Sequence, residues 1–204
     1  MIKILGKVPS NIGVAVSGGI DSMAMLDFLR RGNHKITALH YNHGTGQYAD
    51  DAEQLVNDHC TKNNISLIIG RNEEEPPAGV SRENWWRGKR YEFFEESYKG
   101  QIAMAHHLDD CVEGWIFSSL NGKGRLIPHM RDQFIRPFLT TEKNEFTLWC
   151  VRKGVPTIDD PSNSDTRYRR NYIRHVLMPH AIEVNPGIKK TVRKLLLKAI
   201  EKID

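Results

Sequence analysis

Short apolar, β-prone runs alternate along this chain with longer stretches whose apolar residues recur every three to four positions. The runs at 12–16, 36–41, 66–69 and 101–105 read as strands, and a weaker one falls at 134–139. Helical patterns fill 22–30, 49–62, 82–98 and 109–120, and a shorter one at 142–153 follows the fifth strand. Such alternation predicts βαβ units, and hence an α/β fold in which a parallel sheet is flanked by helices on both faces. Three irregular stretches interrupt it: an acidic, proline-broken loop at 73–79, a glycine-rich basic loop at 121–125, and a polar, turn-like segment at 157–167. The tail 188–203 carries a helical stripe of Ile188, Val192, Leu195, Leu196, Ala199 and Ile203. Lys189, Lys190, Arg193, Lys194, Lys198 and Lys202 lie mostly off that stripe. The expected organisation is one domain over 1–180 and a short, basic, helical C-terminal annex over 181–204.

Composition narrows this picture modestly. A length of 204 residues suits one α/β domain with a short appendage. No apolar run reaches the roughly 18 residues of a membrane span, so no membrane association is expected. The N-terminus lacks the apolar region and small-residue cleavage site of a signal peptide. Cys60, Cys111 and Cys150 are far apart and form no C-x-x-C pair, which argues against a disulfide framework and against a zinc or iron–sulfur site. A reducing, cytoplasmic setting is expected. The net charge of +4 is mild, but Lys and Arg concentrate toward the C-terminus, which permits contact with nucleic acid. A solvated outer face is the plainer reading of the tail lysines.

The chemistry concentrates in four places. At 14–26 an apolar run stops at Ser17-Gly18-Gly19-Ile20-Asp21-Ser22, and a helix pattern then begins. Glycines between a strand and a helix start let the backbone approach an anion, with amide N–H groups and the helix N-terminus facing it. Ser17 and Ser22 add hydroxyls, and Asp21 offers a carboxylate for a metal or a cap. No lysine follows the second glycine, so this is not the Walker pattern. The second place is Ala105-His106-His107-Leu108-Asp109-Asp110-Cys111-Val112-Glu113, where a strand ends and a helix begins. Asp110 and Glu113 sit three apart and share a helix face, and Asp109 could cap the helix. Both places follow strands, so both can face the crevice at the carboxyl end of a parallel sheet. Third, Arg87 and Arg90 lie on one side of a helix that also carries Tyr91, and arginine suits phosphate. Fourth, Asp160-Pro161-Ser162-Asn163 precedes a helix with Arg170 and Arg174 at i, i+4, where arginines and tyrosines could grip a nucleic-acid backbone.

The Ser17–Ser22 loop resembles the PP-loop of the N-type ATP pyrophosphatases, which split ATP between the α and β phosphates. Together the four motifs look like the tRNA(Ile)-lysidine synthetase family. To the S-G-G-x-D-S loop they add His40-Tyr41-Asn42-His43-Gly44 for H-x-N-H-G and Trp86-Arg87-Gly88-Lys89-Arg90-Tyr91 for the A-R-x-x-R-Y helix. The segment from Ala105 to Gly114 matches A-H-H-x-D-D-Q-x-E-T with two changes, and Arg136-Pro137-Phe138 matches R-P-L. Asp160-Pro161-Ser162-Asn163 and Arg170-Asn171-Tyr172-Ile173-Arg174 match D-P-S-N and R-N-x-x-R.

That resemblance implies an adenine-nucleotide alpha-hydrolase-like fold and a two-step ligation. ATP adenylates the C2 oxygen of the wobble cytidine of an isoleucine tRNA and releases pyrophosphate; the amine of free lysine then attacks C2 and expels AMP. It implies ATP and Mg²⁺ as cofactors, with Ser17, Gly18, Gly19, Asp21, Ser22, His40, Asn42 and His106 around the nucleotide and Asp21 as a metal ligand. Asp21, Arg87, Asp110, Glu113 and Arg174 would carry the chemistry, and Asp110 and Glu113 would bind the substrate lysine. Arg170, Asn171 and Arg174, together with Arg193 and Lys194 of the tail, would hold tRNA. A homodimer is an open partner.

The chain departs from the family at Cys111 for Gln, at Gly114 for Thr, at Thr45-Gly46 for the end of H-G-L-R, and at Asn121-Gly122-Lys123-Gly124 for the common R-G-x-G. The large C-terminal tRNA-binding portion of longer members is expected to be missing. Two alternatives stay open: another PP-loop tRNA modifier of the cytidine thiolase kind, and a non-catalytic tRNA-binding relative.

Overall fold

A computed structural model describes residues 1–201. Its organising element is β1 (Asn11–Ala15), buried at every residue but the first. A strand covered on both faces reads as a continuous apolar run rather than an alternating one. It pairs in parallel with β2 (Lys35–Asn42) on one side and β4 (Ile102–Ala103) on the other. Beyond β2 lies β3 (Ser66–Arg71); beyond β4 lie β6 (Phe134–Ile135) and the antiparallel edge β5 (Met130–Arg131). The order is β3-β2-β1-β4-β6-β5. The chain winds outward from β1 to β3 and then returns to the other side of β1, which places a topological switch point between β1 and β4.

Helices cover both faces. α1 (Ile20–Arg31), α2 (Gln47–Lys62) and α5 (Lys143–Lys153) pack on one face around Ile12, Val14, Met23, Leu26, Val56 and Phe146. α3 (Arg82–Ser97) closes the other through Phe94, against Leu39, Ile102 and Phe134. A third cluster joins α4 (Leu108–Leu120) to the C-terminal helices. There α6 (Arg169–Tyr172) passes through a π-helical turn (Ile173–Leu177) into α7 (Met178–Val184), and α8 (Ile188–Ile200) follows.

Two predicted strands are shorter than expected. The run at 101–105 pairs only over Ile102–Ala103, and the run at 134–139 only over Phe134–Ile135. Phe138 and Leu139 leave the ladder but stay fully buried in separate apolar clusters, so their hydrophobicity reflects burial rather than pairing. The tail stripe packs Ile188, Val192 and Leu196 against Leu108, Cys111, Val112 and Ile116. Leu195 of that predicted stripe is more exposed instead. Lys202 and Ile203, assigned to the tail's polar face and stripe, lie outside the described residues. The expected boundary at 180 falls inside α7. No helix among the described residues is long and apolar enough to cross a membrane.

Candidate functional site

The loop after β1 and the start of α4 flank the switch point. Gly18 turns the loop with φ +83, and a Cβ there would meet Ile158 Cγ2 at 3.1 Å and Ala52 Cβ at 3.3 Å. The backbone is therefore both left-handed and crowded, which only glycine accepts without strain. Ile158 N donates to the Gly18 carbonyl at 3.0 Å, so the segment after α5 fixes the loop from above. The Ser17 amide donates to Ser22 Oγ at 3.0 Å, and Ser22 Oγ donates to the Gly19 carbonyl at 2.9 Å. Gly19 caps α1 without any side-chain hydrogen bond. The first amides of α1 thus lack a side-chain acceptor, the arrangement that receives an anion.

Asp21 stands in the first turn of α1 and faces His107. Its Oδ2 lies 3.5 Å from His107 Nε2, and its Oδ1 is buried without a partner. His107 is fully buried and is the N-cap of α4: its Nδ1 accepts the Asp110 amide at 3.2 Å, and Asp110 Oδ2 accepts the His107 amide at 3.0 Å. This reciprocal cap sets the imidazole tautomer, because Nδ1 is an acceptor and the proton then sits on Nε2, toward Asp21. Burial works against a charged His107 ring, but the hydrogen bond to Asp21 and the charges of Asp110, Asp21 and Asp109 prevail and raise its pKa. The cap expected from Asp109 is made by His107 instead. Asp109 turns away, accepting the Lys143 amide at 2.9 Å and pairing with Lys189 at 2.6 Å.

Asp110 and Glu113 share the predicted face of α4, and the structure sets Arg170 and Arg174 directly on them. Arg174 donates through Nε to Glu113 Oε1 at 2.7 Å and through Nη2 to Oε2 at 3.0 Å, a bidentate pair. Arg170 Nη2 reaches Asp110 Oδ1 at 2.6 Å. Burial opposes ionisation of Asp110, yet the neighbouring charges of His107, Arg170 and His106 hold its carboxyl down to about 2. Arg174 is raised despite burial, chiefly through its bond to Glu113. The two arginines are therefore not free surface charge in this state.

A cationic wall stands beside these acids. Arg90 is lowered by burial and by the charges of Arg87 and Arg170. Arg136 is buried and donates Nη1 to the Pro128 carbonyl at 3.1 Å, while its Nε has no partner. Arg87 lies over the Tyr91 ring at 5.3 Å. His106 is pushed down to about 4 by burial, and the charges of Arg136, Arg170 and Arg87 act in the same direction. Its Nδ1 is buried without a partner. Arg90 belongs to the arginine helix singled out in the sequence, whereas Arg136 is an addition to the site. Arg136 was visible in the Arg-Pro-Phe match, but nothing in the residues alone separates a buried arginine from a surface one.

His40 lies under the loop, its Nδ1 donating to the Val16 carbonyl at 2.9 Å. Burial lowers its pKa, and the opposite nitrogen Nε2, which the tautomer makes an acceptor, is buried and unpaired. Asn42 is placed differently from the expectation of a ligand contact. Its amide donates to Ala49 O, Asp50 and Glu53, and its carbonyl accepts the Gly44 amide at 2.8 Å, so it shapes the turn into α2. Asn171 likewise donates to the Ser162 and Asp165 carbonyls at 2.8 and 3.0 Å and ties the 161–165 turn to α6, rather than facing outward for RNA. Arg193 pairs with Glu142 at 3.0 Å, whereas Lys194 is exposed.

A family model described as a PP-loop domain matches residues 2–181. A tRNA(Ile)-lysidine synthase of a Thermotoga species is 35% identical over 200 residues, covering 90% of this chain and 48% of that protein. One of Staphylococcus aureus is 33% identical, covering 89% and 46%. The chain thus spans about half the length of the curated relatives it matches. Among solved structures, the U34-tRNA thiolase NcsA from Methanococcus maripaludis, with its 4Fe-4S cluster, superposes with a TM-score of 0.74 at 16% identity. That match covers 95% of this chain and 72% of the thiolase and speaks to the fold alone.

Proposed function

This chain belongs to the PP-loop domain family, and we propose that it ligates lysine to a tRNA cytidine through an adenylated intermediate. The observation that carries the reading is the joining of two unlike sites by one contact, between Asp21 and the buried His107. An anion-receiving loop at Ser17–Ser22 connects through Asp21 and His107 to the Asp110–Glu113 carboxylates. A nucleotide polyphosphate suits the first site and a cationic amino acid the second, and a reaction using both can take place between them.

In the first step the C2 oxygen of the cytidine bonds to the α-phosphorus of ATP as the α–β bridging bond breaks and pyrophosphate leaves. The loop amides, Ser17 and Ser22 hold the departing pyrophosphate, with hydrogen bonds aimed where charge grows. Arg87, Arg90 and Arg136 provide positive charge on the side of His106. Asp21 would hold Mg²⁺, since its orphaned Oδ1 is a hard oxygen donor beside a phosphate loop and magnesium is commonly held by one or two carboxylates plus phosphate oxygens. Bound there, the ion would offset charge on the phosphates.

In the second step the lysine amine bonds to C2, the C2–O bond breaks, and AMP departs. Asp110 and Glu113 orient the ammonium substrate, and one of them takes the proton the attacking amine releases. Arg170 is half-exposed. It can exchange Asp110 for an RNA phosphate, which leaves Asp110 Oδ1 with only the longer 3.3 Å contact from Arg174 and opens room there for lysine.

An iron–sulfur thiolase reading lacks its donors. Cys60, Cys111 and Cys150 lie buried in α2, α4 and α5, and burial raises all three thiols, Cys60 and Cys150 to about 11. A cytoplasmic setting and a homodimer remain part of the proposal. Mass analysis of nucleosides from isoleucine tRNA incubated with the protein, ATP, Mg²⁺ and lysine tests it. A cytidine heavier by one lysine less water is the expected product; a thiolated or unchanged cytidine contradicts it.

A further inference from the structure

Continuing along α4 from Asp110 and Glu113, the same helix face presents Phe117, one turn further from the cap. Phe117 is 41% exposed, Leu120 68% and Tyr172 of α6 47%, which is unusual exposure for adjacent large apolar groups. With Ile173, Arg167 and Arg169 they line an open surface cleft of about 430 Å³. No carboxylate lines it. Arg169 has no ion-pair partner among the described residues, whereas Arg167 is held by Asp165 at 2.7 Å. Outside the cleft lining, the glycine-rich turn after α4 carries Lys123 and Arg125, both exposed and unpaired among the described residues, with the Arg125 amide fixed on Ser118 Oγ at 2.7 Å. Asn121 also lines the cleft; its amide donates to the Phe117 carbonyl at 2.7 Å, which leaves its own carbonyl oxygen to accept from a ligand.

We infer that this cleft is a nucleobase subsite, holding a base next to the reacting cytidine between Phe117 and Tyr172. The occupant follows from two exposed aromatic side chains, the Arg167 and Arg169 guanidinium groups and an amide able to read a base edge. Together these suit single-stranded RNA, in which bases stack on aromatics and phosphates meet arginine and lysine. The site rests on the tRNA reading above and extends it. Arg170 lies on α6 with Tyr172, and Arg174 follows Ile173 in the π-helical turn, so the cleft and the Asp110–Glu113 cluster share α4 on one side and α6 with that turn on the other.

The test uses the full chain and a short RNA hairpin whose loop carries the reacting cytidine, either intact or with an abasic site at one flanking position. Phe117→Ala and Tyr172→Ala should each weaken binding of the intact hairpin about ten-fold, the order expected for losing one base–aromatic stack. Both should erase the penalty that an abasic site at one particular flank imposes on the native chain. Phe117→Trp should restore binding, and ATP affinity should stay unchanged in every variant. Native-like hairpin binding by the alanine variants would overturn the subsite and leave the tRNA reading standing. So would a loss equal for all hairpins, or loss of self-association in its place. Failure of the native chain to bind the intact hairpin would instead overturn the tRNA reading itself.

Discussion

Asp110 carries three duties at once, and they separate by substitution. It closes the His107 cap, accepts Arg170, and is proposed to bind the lysine ammonium. Asp110→Asn keeps a side-chain carbonyl for the cap but removes the charge. We predict at least a ten-fold rise in the lysine concentration for half-maximal rate, while adenylated tRNA still accumulates; quench analysis of the intermediate checks it. Loss of ATP binding with normal lysine dependence would move the residue to the nucleotide site. The buried imidazoles set a pH response. His106 and His43 are pushed down to about 4, both chiefly by burial, so they stay neutral in the fold where the unfolded chain already binds protons. Between the unfolded value near 6.5 and about 4, acidification therefore favours unfolding, by up to about 3 kcal/mol for a shift of that size. His107 works in the opposite sense, its raised pKa adding stability below 6.5 that is lost as pH rises through its folded value. Denaturant titrations of a His106→Gln variant should show a flatter loss of stability from pH 6.5 to 4 than the native chain; an identical slope would contradict it.

At the scale of elements, the loop depends on glycine and the tail depends on packing. Gly18→Ala must adopt φ +83 against Ile158 and Ala52. It should lose about 1–2 kcal/mol of stability and ATP affinity with it, read by calorimetry. α8 shares a cluster with α4, and Leu196 is almost fully buried. Leu196→Ala should cost about 2–4 kcal/mol and lower a single melting transition; an unchanged melt would mark the tail as detached. The pattern of apolar runs made β1, β2 and the helices legible, because buried parallel strands and amphipathic helices each leave a period. The same pattern overstates the length of β4 and β6, since buried Phe138 and Leu139 look like strand residues but leave the ladder to pack. The Ser17–Ser22 and Asp110–Glu113 motifs were legible by their own chemistry. The cap by His107, the inward use of Asn42 and Asn171, and the pairing of Arg193 with Glu142 were not. Each depends on a partner distant in sequence or on side-chain direction, which spacing does not encode.

For the molecule as a whole, charge that reads as one basic C-terminal region divides into paired and free parts. Lys189 and Arg193 clamp α8 to Asp109 and Glu142, while Lys190, Lys194 and Lys198 face solvent. Removing Lys190 and Lys194 should therefore weaken tRNA binding at low salt and flatten its salt dependence, because fewer counterions are released. An unchanged slope with intact fold would assign these lysines to solvation alone. If the Ser17–Ser22 loop and the Asp110–Glu113 cluster serve one reaction, ATP is cut between its α and β phosphates. Following ATP labelled on the α-phosphate, with tRNA and lysine present, tests it most directly. Label appearing first on tRNA and then as AMP, matched by pyrophosphate, is the predicted result; label appearing as ADP, with free phosphate released, would contradict it.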